Sequence, residues 1–336
     1  MMMRRMQKAV LTLDGAVARA YLACRRERSA LICFLFHSVF RDQREIDRGD
    51  VDPLDRTTVA QIRQFIDYYL CQGYRFVRPR DVLSGLNPGG RYAMLSFDDG
   101  YYNNSLVLPL LEEFKVPAVL FVSTDNVRLG KCFWWDVLYR ELANRGVALA
   151  GRDQVERAMK VCTTEQIEAK LIELYGPRCF APRGDIDRPF TPRELKEFAA
   201  NPLIELGNHT ANHAILTNYA SDAAYRQLTD ARDWLKAEIG IEPLAVAYPN
   251  GNHDRRIVDL SRRAGYKLGF TVQPMKTTVP VTSDVRRRMC LGRFMPSAYT
   301  PMLTQCRTYR SDLQLYGPLR DTMSRMMHRA ARAGAR

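Results

Sequence analysis

Two short stretches carry residue types suited to chemistry. Ser96-Phe97-Asp98-Asp99-Gly100 sets adjacent carboxylates after the apolar run Tyr92-Ala93-Met94-Leu95, and Gly100 lets the chain turn there. Neighbouring side chains on a strand face opposite ways, so the turn must re-aim at least one carboxylate if both serve one site. Two buried like charges raise each other's pKa unless a cation lies between them. Gly207-Asn208-His209-Thr210-Ala211-Asn212-His213 places two imidazoles four residues apart, and on a helical turn that spacing puts both on one face. Of the five histidines in the chain, only these two are close together. One carboxylate with two imidazoles suits a divalent transition metal with open coordination positions, most often zinc, with cobalt or nickel as alternatives. The other carboxylate is then free to act as a base toward the water such an ion activates.

The elements that must position these residues follow an alternating rhythm. Leu31–Phe36 reads as a first strand ending at His37. The charged stretch Arg41–Asp55 reads as a loop. From Thr58, apolar Ile62, Phe65, Ile66, Tyr69 and Leu70 mark an amphipathic helix that Gly73 stops. Tyr74–Val77 is a short strand. Leu106, Leu110, Leu111 and Phe114 trace a helix after the aspartates, and Ala118–Val122 is the next strand. Residues 128–190 break the rhythm: charged, mostly helical and containing Phe133-Trp134-Trp135-Asp136, they read as an insertion over one face, its tryptophans more core than lid. Thr191-Pro192-Arg193-Glu194 restarts the pattern with a capping box. Leu203–Leu206, Leu244–Tyr248, Tyr266–Thr271 and a segment near Met289–Phe294 read as strands, with helices over Ser221–Gly240 and Asp254–Ala264 between them.

Strand, helix, strand at this spacing implies parallel pairing. The expected fold is α/β: a distorted barrel of about seven parallel strands with a helical insertion and basic helical tails. An open doubly wound sheet is the second choice. In both, functional residues sit at the carboxyl ends of strands. His37, Asp98, Asp99, His209, His213 and Asn250 all follow expected strands, which is the reason to gather them into one site.

Composition narrows the partners. The net charge of +13 invites a nucleic-acid or anionic-membrane reading. Residues 1–30 hold seven basic and two acidic side chains, a net of +5, and residues 318–336 hold five and one, a net of +4. That leaves +4 for everything between, so no nucleic-acid groove is expected through the body of the protein. Residues 1–30 read as a basic amphipathic helix, 31–300 as the barrel with its insertion, and 301–336 as a second basic helical tail. Both tails could lie on an anionic membrane or pack on the barrel. The eight cysteines are scattered without a CxxC and read as reduced, mostly buried thiols. No stretch is long enough to span a bilayer. Arg25-Arg26-Glu27-Arg28 before the apolar run mimics a secretory leader, but no small-residue cleavage site follows, and the run reads as a strand. The expected location is cytoplasmic, peripheral on the inner face of the membrane if the tails bind it.

Taken together, these residues resemble the polysaccharide deacetylase family, the chitooligosaccharide deacetylase homology domain of carbohydrate esterase family four. The resemblance covers about residues 31–295. Ser96-Phe97-Asp98-Asp99-Gly100 is similar to its first motif, and implies Asp98 as the catalytic base and Asp99 as a metal ligand. His209-Thr210-Ala211-Asn212-His213 is similar to its second motif, whose histidines ligate the metal. Ala247-Tyr248-Pro249-Asn250-Gly251 is similar to its groove-lining third motif, which implies substrate contact by Tyr248, Pro249 and Asn250 and an oxyanion donor at the Asn250 N–H. Leu35-Phe36-His37-Ser38 resembles a first-strand signature of some members.

The pattern is not matched everywhere. The third-motif arginine falls near Ala247, so Asp98 is expected to lack that partner. The Asp/Trp of the fourth motif has no counterpart near Tyr266–Val272. No histidine stands in the fifth-motif region, which leaves His37, or else His253, to serve as general acid. The implied activity is metal-dependent removal of N-acetyl groups from a sugar in a polysaccharide, oligosaccharide or lipid-linked glycan. The alternative is a sugar-binding relative with weakened catalysis.

Overall fold

Ala30–Phe36 (β1) is buried along its whole length, which a half-exposed strand could not be. Its residues alternate between two cores. Leu31 and Cys33 join an inner cluster with Tyr92, Met94, Val119, Phe121, Ala247 and Phe270. Ile32, Phe34 and Phe36 join an outer one beneath the helices. The computed structural model of the chain describes residues 2–25, 27–51, 56–281, 283–296 and 300–313.

Around β1 runs a curled, mostly parallel sheet. It continues through Arg91–Phe97 (β2), Ala118–Val122 (β3), Ile204–Asn208 (β4), Ala245–Ala247 (β5) and Leu268–Phe270 (β6). Arg293–Phe294 (β7) pairs in parallel with Cys33 and Phe34 on the other side of β1, while Leu291 bridges to Phe270. That last segment links both ends of the sheet, as a distorted barrel requires. Two-residue strands add to the edges, Arg75–Phe76 beside β2 and Thr277–Thr278 antiparallel to β1.

The helices follow from local signals. Val59–Cys71 (α1) opens with a capping box between Thr58 and Gln61, buries Ile62, Phe65, Ile66 and Tyr69, and ends before Gly73 at φ +73°. Pro192–Ala199 (α2) opens with the Thr191–Glu194 box. Ser221–Trp234 (α3) passes into a wider turn over Leu235–Ile239 that Gly240 closes at φ +85°. The stretch after β1 is not all loop. Asp42 caps a short helix, Gln43–Asp47, and Val39–Phe40 pairs with Thr57–Thr58.

Residues between β3 and β4 form the expected insertion, with helices Trp134–Asn144 (α4), Leu149–Met159 (α5) and Thr164–Tyr175 (α6) around their own apolar cluster. β3 and β4 stay hydrogen-bonded neighbours across it. Inside, Arg140 donates to Asp187 at 2.9 Å and to the Cys179 carbonyl, while the Asp187 carboxylate also accepts from the backbone N–H groups of Arg183 and Gly184.

The first basic helix, Met2–Cys24 (α7), packs against Met302–Arg310 (α8), burying Asp14 and Ala18. A Cβ on Gly15 would come within 2.4 Å of Thr304, so the glycine sets how closely these helices approach. Among the described residues, no helix is long and apolar enough to cross a membrane. The basic stretch expected beyond residue 313, with Leu319, Met323, Met326 and Arg320, lies outside the described residues.

Candidate active site

Strand alternation aims Asp98 at the barrel mouth. It continues the inward series Tyr92, Met94, Ser96, and its N–H still donates to the Phe36 carbonyl at 2.9 Å. Asp99 would face outward. Instead it takes φ +77°, and the Gly100 N–H closes the turn on the Asp98 carbonyl at 3.0 Å. That left-handed residue re-aims the second carboxylate toward the same mouth.

The two aspartates are treated differently. Asp98 receives both ends of the Arg293 guanidinium at 2.7 Å. Arg293 is fully buried and is itself fixed, donating to Ser96 Oγ at 3.1 Å and to the Thr271 carbonyl at 3.1 Å. Burial alone would raise the Asp98 pKa, but the Arg293 charge, followed by His209, outweighs it and holds the carboxyl below the usual range. The expectation that Asp98 lacks an arginine partner is therefore corrected: the arginine comes from β7 instead of the third motif. Asp99 is buried, and among the described residues neither oxygen has a hydrogen-bond partner.

His209 and His213 face that unpartnered carboxylate. Each Nε2 lies 3.4 Å from Asp99 Oδ1, and the three potential ligand atoms all lie within 4.8 Å of one another. The histidines do not sit on a helical turn, as their spacing predicts. They lie on an open loop with Thr210 at φ +67° and His213 at φ +46°. Side chains hold that loop: Asn208 Oδ1 accepts from the Thr210 N–H at 2.5 Å, and Thr210 Oγ1 from the Ala214 N–H at 2.7 Å. His209 Nδ1 lies 2.9 Å from the Ala247 carbonyl, which can only accept, so Nδ1 carries a proton and Nε2 is the nitrogen turned toward Asp99. Burial, then the neighbouring His209 and Lys160, push the His213 pKa well below its ordinary value and keep the ring neutral. A buried carboxylate with no hydrogen-bond donor among the described residues, facing two imidazole Nε2 atoms, fits a divalent metal ion.

A cavity of about 190 Å³ opens above these groups. His37, Asn250, Leu35, Ile215, Val272 and Met295 line it from the barrel, and Trp134, Trp135, Glu156 and Lys160 from the insertion. The His37 carbonyl accepts from Asn104 Nδ2 at 2.6 Å, which ties the end of β1 to the loop after the aspartates. Asn250 adopts φ +55° at the rim. Its motif neighbours sit deeper: Tyr248 and Pro249 are buried behind the cavity wall, Tyr248 among Val246, Ile257, Tyr266 and Met289. That placement counts against direct sugar contact by either one. His253 stacks on Tyr248 with ring centroids 5.4 Å apart, its Nδ1 at 2.9 Å from the Gly251 carbonyl, and does not line the cavity. Trp134 and Trp135 are both core and wall: nearly buried, yet lining the cavity.

Sequence reasoning passed over Arg293, Glu156 and Lys160. A signal for Arg293 was present, since it is the one charge inside the run Met289–Phe294. Glu156 and Lys160, paired at 2.7 Å, look in sequence like any helical i,i+4 pair.

Comparison with known proteins agrees with this fold. No curated protein matches the chain. In fold it is similar to the Streptococcus pyogenes deacetylase PplD, solved with acetate, at TM-score 0.57 and 16% identity over 84% of this chain and 99% of that one. It is also similar to a polysaccharide deacetylase from Bacillus cereus, at TM-score 0.58 and 15% identity over 84% of this chain and 69% of that one. A third similar structure is IcaB from Ammonifex degensii, at TM-score 0.56 and 16% identity over 85% and 99%. The family model for polysaccharide deacetylase matches residues 85–269, more than half of the chain and the span that holds both aspartates and both histidines. By its sequence, and in keeping with its barrel and the groups at its mouth, the chain belongs to the polysaccharide deacetylase family.

Proposed function

We propose that the protein is a metal-dependent hydrolase that removes the acetyl group from the nitrogen of an N-acetylated sugar in a polysaccharide, oligosaccharide or lipid-linked glycan. One observation carries the reading: the buried, unpartnered Asp99 carboxylate faces two imidazole Nε2 atoms and stands beside an aspartate kept ionised by Arg293. Asp99, His209 and His213 would hold the ion, with zinc the best match to this donor set and cobalt or nickel acceptable. When bound, the ion supplies Lewis acidity, polarising the acetyl carbonyl and making water more acidic.

The remaining work falls to the chain's own residues. Asp98 takes the proton from the attacking water, and its two bonds from Arg293 fix its direction. The Asn250 N–H donates to the oxygen that becomes negative as the carbonyl carbon turns tetrahedral, a contact of about 3 kcal/mol in comparable sites. An amide anion is too basic to leave, so the nitrogen must be protonated as the C–N bond breaks. His37, on the cavity wall close enough to Asp98 to affect its charge, supplies that proton. Acetate and a free amine are the products.

The test is acetate release from a panel of N-acetylated polymers and lipid-linked sugars, with zinc, cobalt or nickel and after chelation. Release that chelation stops and Asp98→Asn removes supports the assignment. A metal-loaded chain that releases no acetate across the panel, yet retains the glycans, would instead be a binding relative.

A further inference from the structure

The two imidazoles are fixed by different means. His209 is oriented by its hydrogen bond to the Ala247 carbonyl, the usual device for a metal-ligating histidine. His213 has none: among the described residues, nothing bonds its buried Nδ1. What it has is a wall. The Trp135 ring lies against it, centroids 4.4 Å apart and planes tilted by 60°.

Trp135 is itself immobilised. Its Nε1–H donates to the Tyr101 hydroxyl at 2.8 Å, and that hydroxyl donates to the Asp136 carboxylate at 2.6 Å. Phe133 stacks on Trp135 with centroids 5.0 Å apart, and Trp134 meets it edge-on at 5.5 Å. Tyr101 is two residues beyond Asp99, so one hydroxyl joins the carboxylate loop of the barrel to helix α4 of the insertion. A histidine ring has a broad, two-fold torsion about its bond to Cβ. For His209 a hydrogen bond narrows it; for His213 only packing can.

We infer that Trp135 is a positioning residue: clamped by Tyr101 and Asp136, it aims His213 at Asp99 and so sets how tightly the site holds its metal. The inference rests on the assignment of Asp99, His209 and His213 as ligands. It gives the insertion a role in assembling the metal site, beyond that of a wall for substrate.

The test is zinc affinity of the full-length chain, measured by competition with a chromophoric chelator. Loss of an orienting partner weakens metal binding by about 10- to 100-fold in comparable sites. Trp135→Leu should fall in that range. Trp135→Phe, which keeps a ring against His213, should recover most of the loss, and Tyr101→Phe, which removes only the hydroxyl, should lie between. Leu171→Ala truncates a buried residue of the same apolar cluster and should lower the melting temperature without changing zinc affinity. In the cobalt-loaded protein, the visible absorption bands should change for Trp135→Leu and not for Leu171→Ala. If Trp135→Leu does not fold, Tyr101→Phe decides alone. Wild-type zinc affinity in the Trp135 and Tyr101 variants, or an equal loss in Leu171→Ala, overturns the inference and leaves the ligand assignment standing. A wild-type chain that binds no zinc overturns both.

Discussion

The two ends of the barrel treat charge in opposite ways. At the end where the strands start, acids are paired. Glu27 accepts from Arg310 at 2.6 and 2.8 Å and from Arg91 at 3.0 Å, Glu205 accepts from Arg80 at 2.7 Å, and Asp312 from Lys276 at 2.9 Å. At the end where the strands finish, Asp99 is buried with no donor among the described residues, and Asp99, Thr210, His213 and Asn250 all sit in left-handed backbone. A non-glycine residue held there costs about 1–2 kcal/mol. Only two other non-glycine positions among the described residues share that conformation, Arg56 and Lys115. One end is built for stability, and the other gives stability up to aim groups at a common point.

Substitutions can break or sharpen that contrast. The largest effect is expected for Asp99→Ala: activity falls by at least about 1,000-fold and zinc binding is lost. The metal-free protein should melt no lower than wild type, because the change removes an uncompensated buried carboxylate. A strongly destabilised Asp99→Ala would show that Asp99 serves the fold, and the contrast would fail. Asp98→Asn should keep zinc binding and lose turnover by about 100- to 10,000-fold. It should also cost about 3 kcal/mol of stability, since Arg293 is left buried without its counter-charge. Asp98 is thus the one acid at the site that serves both purposes, and denaturant titration beside a zinc titration would show it.

At the opposite end, Glu27→Gln should cost about 2 kcal/mol of stability and leave zinc affinity unchanged. Burial raises the Glu27 pKa, but the bonds from Arg310, then Arg91 and Tyr74, outweigh it, so the folded value lies below the ordinary one. Its contribution is fully present above the unfolded pKa, near 4.3. It is lost as pH falls through the lower folded value, so the gap between wild type and Glu27→Gln should close in acid. The smallest effect is expected for Glu205→Gln. There burial outweighs Arg80, whose side chain is about half exposed, and the folded pKa is raised. Ionisation therefore penalises the fold at neutral pH and not in acid. The variant should lie within about 1 kcal/mol of wild type and gain most at neutral pH.

Much of this was legible in sequence. β3 appears in sequence with the boundaries it has in the structure, and the Thr191 capping box announces its helix, because a cap is a local contract between residues three apart. The grouping of Asp99 with His209 and His213 was legible from residue type and order. Its backbone was not: two histidines four apart suggest a helical turn, and only the bonds from Asn208 and Thr210 produce the left-handed loop instead. Arg293 and Trp135 were harder for a different reason. Their partners, Asp98 and His213, lie 195 and 78 positions away, and no local pattern encodes a contact of that range. Tyr248 shows the reverse case. A motif places it at the site, but its side chain turns inward to the apolar cluster beneath.

β7 is the last strand of the sheet among the described residues, and Asp98 is anchored to it through Arg293. A chain emerging from the ribosome can therefore lay down β1 to β6, both motif loops and the whole insertion while still holding Asp98 without its tether. Premature termination between residues 213 and 293 would yield a polypeptide that has Asp98, Asp99, His209 and His213 but lacks the guanidinium that fixes Asp98.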